Sequence, residues 1–193
     1  MTTEEMITWE DYVSRFETLL KSSTPEKPYD NIDYFNYLKL NNSRQKRWLK
    51  TAPINSELEE KIKAIDQPLT WIVITEPWCG DAAHTIPFIK LAADLNPLIK
   101  LRFMWRDQPP YLIESYLTNG GKSVPKLIVR DEGNIDVFTW GPRPEPCQRI
   151  YMDLKAKNAD FETQKITLQE WYNRDKGATF QQELLDILIT TMK

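Results

Sequence analysis

The sequence predicts an α/β protein with a central mixed sheet of about four strands and helical extensions at both ends of the chain. Short runs of β-branched residues alternate with helical patterns in the middle of the chain, whereas both ends show helical periodicity alone. With 193 residues, of which 41% are hydrophobic, the chain can bury the core of one domain. We expect a helical N-terminal extension at 1–66, the sheet-containing core at 67–158, and a C-terminal helical extension at 159–193 that packs on the core.

Four segments have the pattern of strands. They are 69–75, 98–106, 126–130 and 135–140. The first is a continuous apolar run bounded by Pro68 and Pro77, which is typical of a strand buried on both faces. The sequence Asp-Glu-Gly-Asn at 131–134 predicts a hairpin turn between the last two strands. Because helices connect the earlier strands, we expect parallel pairing first and antiparallel pairing last.

Helical patterns cover most of the remaining chain. They are expected at 8–21, 30–40, 44–50, 56–65, 79–95, 110–117, 145–158, 168–176 and 180–192. Ser56 with Glu59 is the pattern of a capping box. Gly177 is expected to end one helix, and Thr179 to cap the next.

Composition and charge exclude several classes of protein. A net charge of −3 disfavours a nucleic-acid binder, which normally has a basic face. No stretch approaches the ~18 consecutive apolar residues of a membrane span. The acidic start at 1–5 lacks a basic and then apolar leader, so we expect a cytoplasmic protein that does not act on membranes.

The segment Trp78-Cys79-Gly80-Asp81 lies where the first strand becomes a helix. Backbone N–H groups and the positive end of the helix dipole at such a junction favour a thiolate and therefore a nucleophilic cysteine. The Asp81 carboxylate acts in the opposite direction, since like charges repel. The direction of the net shift in the Cys79 pKa is left open by the sequence.

These residues resemble the thioredoxin family. Trp78-Cys79-Gly80 followed by Pro87 is similar to the active-site helix of that family, and Val124-Pro125 is similar to its cis-proline. Gly141, after the last strand, is similar to the glycine that lines the family's substrate groove. The resemblance covers 67–158 and implies a thioredoxin fold.

The resemblance also implies roles for individual residues. Cys79 would be the nucleophile and Trp78 a wall of the groove. Pro125 would lie beside the sulfur, and Val124 would present backbone groups to an extended substrate. The implied substrate-binding set is Trp78, Gly80, Asp81, Val124, Pro125, Gly141 and Arg143. Ala82 stands where dithiol thioredoxins have their second cysteine, which excludes a dithiol cycle through this helix.

Three further residues have alternative interpretations. In a thioredoxin arrangement Arg143 borders Cys79 and could pair with a thiolate, with Asp81 or with a substrate carboxylate. His84 is the single histidine; it follows Cys79 by five residues and cannot act as its base, so we expect it at the surface or at the groove rim. Cys147 begins an apolar helical stripe, and we expect it to be a core residue rather than a resolving thiol.

Metal and cofactor sites are not predicted. One histidine and two separated cysteines cannot form a usual zinc site, and in a cytosol both cysteines would be reduced.

Two functions remain open. The first is a monothiol redox protein in which Cys79 attacks a disulfide or a sulfenate, and an external thiol resolves the adduct. Its partners would be protein or small-molecule thiols and disulfides. The alternative is a non-catalytic module that binds a peptide or protein in the groove of Trp78, Pro125 and Gly141. Thiol transfer with glutathione is a third possibility, although no basic site for its carboxylates is evident. The oligomeric state is left open.

Overall fold

The computed structural model describes residues 6–192, in which a four-stranded mixed sheet is flanked by helices. The strands are β1 (Leu69–Thr75), β2 (Ile99–Trp105), β3 (Lys126–Arg130) and β4 (Asp136–Trp140), in the order β2-β1-β3-β4. The prediction that these four segments form one sheet is confirmed. The segment 1–5, on which the expectation of no export leader rests, lies outside the described residues.

The pairing of the strands follows from their connections. β1 and β2 are parallel, with Val73 opposite Phe103, as a helical crossover requires. β3 is antiparallel to β1 and to β4, and the register with β4 shifts between Val129 and Arg130. The predicted hairpin turn is present, since the Asn134 amide donates to the Asp131 carbonyl at 3.0 Å. The parallel and antiparallel pairings are both as expected.

Residues 6–192 form seven α-helices. They are α1 (Trp9–Lys21), α2 (Ile32–Thr51), α3 (Ser56–Lys63), α4 (Gly80–Ala93), α5 (Glu145–Ala156), α6 (Phe161–Asp175) and α7 (Ala178–Thr191). A short 3-10 helix at Leu112–Ser115 replaces the longer helix expected at 110–117. Within residues 6–192, no helix is long and apolar enough to cross a membrane.

Two predicted helix boundaries near the N-terminal end are wrong. α2 runs without a break through 41–43, where two separate helices were expected. The buried Asn41 side chain donates to the Pro77 carbonyl at 3.0 Å, so tertiary contacts outweigh the low helix propensity of asparagine. The N-cap of α3 is Asn55 rather than Ser56, because the Asn55 side chain accepts from the amides of Glu57 and Leu58.

Two predicted boundaries near the C-terminal end are also wrong. α6 begins at Phe161, seven residues earlier than expected, with the Asp160 side chain as its N-cap. α7 is preceded by Gly177 as its N-cap, whereas Thr179 lies inside the helix and its amide donates to Asp175. The φ angle of +79° at Gly177 favours glycine.

The helical extensions pack on the sheet and on α4. In α1, the Tyr12 ring stacks on Phe103 of β2 with centroids 4.5 Å apart. α2 packs along α4, and α7 packs against α3 and β4. These contacts form one apolar core around the buried strand β1. As a result, α2 and α6 reach the end of the sheet at which α4 begins.

Candidate functional site

Cys79 occupies the N-cap position of α4, directly after the turn that follows β1. Cys79 is only 5% exposed to solvent. The thiol donates to the Val124 carbonyl at 3.2 Å, and the Ala82 amide donates to the sulfur at 3.4 Å. The Val124–Pro125 peptide bond is cis. The structure thus brings Cys79 and Val124 together at the N-terminal end of α4, the arrangement that the resemblance implied.

The Cys79 thiol is protonated at neutral pH. Burial, and to a smaller extent the nearby Asp81 carboxylate, raise the pKa of Cys79 to about 12. The Ala82 amide and the Arg143 guanidinium favour the thiolate but do not offset these two effects. The direction that the sequence left open is therefore upward.

Asp81 and Arg143 form a largely buried ion pair beside Cys79. The Arg143 Nη2 atom lies 2.6 Å from Asp81 Oδ2, and the Tyr172 hydroxyl donates to Asp81 Oδ1 at 2.9 Å. The guanidinium also lies over the Tyr151 ring, 4.1 Å from its centroid. Of the three partners considered for Arg143, Asp81 is the one observed.

The glycines near Cys79 allow close backbone contacts. Gly141 has a φ of +115°, and a Cβ atom there would lie 2.3 Å from the Pro125 carbonyl oxygen, so only glycine fits. A Cβ atom at Gly80 would lie 2.9 Å from the Tyr37 hydroxyl. Gly141 and Pro125 therefore pack against each other rather than face the cavity described next.

A cavity of about 530 Å³ opens beside Cys79. Six of the predicted site residues line it: Trp78, Cys79, Gly80, Asp81, Val124 and Arg143. Pro125 and Gly141 are not in the lining of this cavity, and their expected place in the wall of a substrate groove stays a prediction. Gly141 instead lies against the backbone of Pro125 and of Lys126, the first residue of β3.

Sequence reasoning missed a second set of lining residues on α2 and α6. They are Tyr37, Arg44, Phe161, Gln164, Lys165, Leu168, Gln169 and Tyr172. Arg44, Arg106, Lys122, Arg143 and Lys165 give the cavity five cationic side chains. The sequence showed no basic site because these cations come from separate parts of the chain. The available signal was the helical spacing that places six lining residues on one face of α6, namely Phe161, Gln164, Lys165, Leu168, Gln169 and Tyr172.

His84 is buried but lines the cavity, so a position at the groove agrees with the prediction, whereas the alternative of a surface position is wrong. It is 4% exposed, and its ring stacks on Tyr172 with centroids 4.6 Å apart. The Trp48 Nε1–H donates to His84 Nδ1 at 3.0 Å, so the proton lies on Nε2 and faces Gln169 Oε1 at 3.1 Å. Burial lowers the pKa of His84 to about 3, and the ring is neutral.

Cys147 is fully buried near the start of α5, as expected of a core residue. Burial raises its pKa to about 12. Both cysteines are free. In the part of the chain that the structure describes, no group of three or more His, Cys, Asp or Glu side chains could hold a metal ion.

Comparison with known proteins identifies the family. A family model described as thioredoxin matches residues 29–158, which is more than half of the chain. An HIV epitope scaffold is similar in structure, with a TM-score of 0.59 and 17% identity over 97% of this chain and 95% of that one. A protein of unknown function from Pseudomonas aeruginosa has a TM-score of 0.54 and 17% identity over 96% of this chain and 99% of that one. At this level of identity the two structures share the fold alone, and among curated proteins none matches the sequence. On the strength of the family model and the fold, this chain belongs to the thioredoxin family.

Proposed function

We propose that this chain is a thioredoxin-family binding module, in which Cys79 is a neutral thiol in the wall of a ligand cavity rather than a redox nucleophile. The observation that carries the proposal is the burial and hydrogen bonding of the Cys79 sulfur. Cys79 is almost completely buried, and its thiol hydrogen is used in a hydrogen bond to the Val124 carbonyl. A thiolate could not make that bond, and it would lie next to the Asp81 carboxylate.

The rest of the site supports binding more than thiol exchange. Ala82 cannot resolve a mixed disulfide, and Cys147 is fully buried. The cavity has a volume typical of small-molecule sites and combines aromatic walls with a few charged groups. A ligand or the end of a peptide can therefore be held without covalent chemistry.

A monothiol redox protein is the second candidate. It is favoured by the Ala82 amide, which donates to the Cys79 sulfur and would stabilise a thiolate. In that reaction the Cys79 thiolate attacks one sulfur of a disulfide, the other sulfur leaves as a thiolate, and an external thiol then breaks the mixed disulfide. This scheme requires Cys79 to lose its proton in spite of burial.

The rate of Cys79 alkylation as a function of pH separates the two candidates. We expect the native Cys147→Ser protein to react with iodoacetamide about a thousandfold more slowly at pH 7 than the same protein in urea, because the Cys79 pKa is raised from 9.0 to about 12. The logarithm of the rate should still rise with pH at pH 10. Mass spectrometry of the alkylated protein provides the rates.

The shape of the pH profile is the internal control. Steric hindrance alone lowers the alkylation rate but leaves the pH at which the rate profile inflects unchanged. A raised pKa of Cys79 moves that inflection to higher pH. An inflection below pH 8, with a native rate at pH 7 close to that in urea, would show an activated thiolate. The binding-only function would then be wrong, and the redox candidate would replace it.

A further inference from the structure

Arg44 is a buried cation that has no ion-pair partner in the part of the chain that the structure describes. It lies on α2, is 7% exposed and lines the cavity beside Cys79. Its Nη1 atom donates to Asn41 Oδ1 at 3.0 Å, and the guanidinium lies 5.5 Å from the centroid of the Tyr37 ring. Among residues 6–192, no carboxylate is within ion-pair distance of Arg44; the Tyr37 hydroxyl and, at longer range, the Asp81 carboxylate favour its charge. Because a buried charge without a counter-ion is costly, this guanidinium is a ready partner for an anion from outside the chain.

The charges around Arg44 make the cavity favourable for anions. Asp81 is the only carboxylate in the described lining, and Arg143 and Tyr172 already engage both of its oxygens. Lys122, Lys165 and Arg106 have carboxylate partners, Glu114, Glu162 and Asp107, but these carboxylates are exposed and do not line the cavity. Positive charge therefore dominates the interior, where low dielectric strengthens its effect.

Aromatic side chains also line the cavity. Tyr37 lies on α2, Trp78 precedes Cys79, Tyr151 lies on α5, and Phe161 lies on α6. Phe161 is 73% exposed, so an apolar surface is available at this wall. A cavity of about 530 Å³ has room for a ligand of the size of a small organic molecule.

We infer that the cavity binds a small organic acid, whose oxyanion pairs with Arg44 and whose apolar part packs on the aromatic walls. The inference rests on the proposed function in one respect, that the cavity is a binding site. It does not depend on the reactivity of Cys79. Carboxylates and phosphates share the geometry that suits a guanidinium, and the experiment below distinguishes them.

Isothermal titration calorimetry with three matched probes tests this inference. Benzoate and phenyl phosphate carry a carboxylate and a phosphate on the same ring, and benzyl alcohol carries no charge. At constant ionic strength we expect at least one of the two anions to bind, and benzyl alcohol to bind about tenfold more weakly or not at all. The anion that binds more tightly shows whether the site prefers a carboxylate or a phosphate.

Two variants on α2 test whether Arg44 is the side chain that binds the oxyanion. Arg44→Gln keeps a polar side chain beside Asn41 but removes the charge, and it should weaken anion binding by about tenfold or more. Arg47→Gln is the matched control, because Arg47 lies over the Trp48 ring outside the cavity lining. It should change the affinity by less than about twofold. If Arg44→Gln does not fold, Lys165→Gln at the same cavity should also weaken anion binding.

The outcomes that would overturn the inference are specific. They are binding of benzyl alcohol as tight as that of both anions, no binding of either anion to the wild-type protein, or equal affinities for wild type and Arg44→Gln. None of these measurements uses the Cys79 thiol. A reactive Cys79 in the alkylation experiment would therefore disprove the proposed function and leave anion binding to be judged by calorimetry alone.

Discussion

Two groups, the half-buried Glu76 and the buried His84, should make opposite contributions to the pH dependence of the stability of this protein. Burial raises the pKa of Glu76 from 4.5 to about 7, while the Asp107 amide, which donates to the Glu76 carboxylate, acts the other way. Burial lowers the pKa of His84 from 6.5 to about 3. Asp107, Arg106 and Arg15 are the charged groups that influence Glu76.

The signs of the two effects follow from proton linkage. The Glu76 pKa is raised in the folded protein, so its contribution to stability is complete below pH 4.5 and is lost as the pH rises through 7. The His84 pKa is lowered, so its contribution is complete above pH 6.5 and is lost as the pH falls toward 3. Between pH 7 and pH 5, protonation of Glu76 adds about 2 kcal/mol, and protonation of unfolded His84 removes about 2 kcal/mol.

The wild-type free energy of unfolding should therefore change little between pH 7 and pH 5, whereas single substitutions should reveal each effect. Glu76→Gln should be about 2 kcal/mol less stable at pH 5 than at pH 7, because only the His84 effect remains. His84→Asn should be about 2 kcal/mol more stable at pH 5 than at pH 7. Its Oδ1 atom can still accept from Trp48, although the stack on Tyr172 is lost.

Urea unfolding of the three proteins at both pH values measures these differences. The comparison is made within each protein, so a general loss of stability in a variant does not affect it. Equal pH dependence in wild type and Glu76→Gln would refute the raised pKa of Glu76. Equal pH dependence in wild type and His84→Asn would refute the lowered pKa of His84.

Three further predictions concern the effect of single substitutions on stability. Gly177→Ala should lower the free energy of unfolding by about 2–4 kcal/mol, because the new Cβ would lie 2.2 Å from the Phe88 ring at a positive φ. Gly120→Ala is the matched control, with a φ of +76° and no atom within 4 Å of the new Cβ; an equal loss in thermal unfolding at both sites would contradict the role of Phe88. Cys147→Ser should lower stability by about 1–3 kcal/mol, because it places a hydroxyl at a fully buried site. Cys79→Ser should leave the melting temperature nearly unchanged, since a serine hydroxyl can make the same hydrogen bonds, and equal losses from the two serine variants would argue against both assignments.

The sheet could be predicted from local sequence because each strand carries its own signal. The run at 69–75 is apolar throughout and is bounded by Pro68 and Pro77, and the structure buries it at the centre of the sheet. The hairpin at 131–134 has a glycine-containing turn. Helix boundaries were harder to predict, because the ends of α2, α3 and α7 depend on tertiary contacts and on caps for which neighbouring residues compete.

The candidate site could be predicted in part for the same reason. Trp78, Cys79 and Asp81 are close together in sequence. Val124 was identified through the resemblance to the thioredoxin family, in which the separation in sequence between the cysteine and the cis-proline is characteristic. His84 and Arg44 were assigned no role at the site, because burial of a polar side chain depends on partners far away in sequence. The His84 ring lies between Trp48, which is 36 residues before it, and Gln169, which is 85 residues after it.

The Asp81 carboxylate connects the state of the thiol to the walls of the cavity. Asp81 raises the pKa of Cys79, and the same carboxylate accepts from Tyr172 of α6 and pairs with Arg143. An anion in the cavity would add negative charge near Cys79 and oppose formation of a thiolate. A cavity suited to anions is therefore suited to a neutral thiol as well. The cationic lining and the buried, hydrogen-bonded sulfur both favour the proposed binding function over thiol exchange.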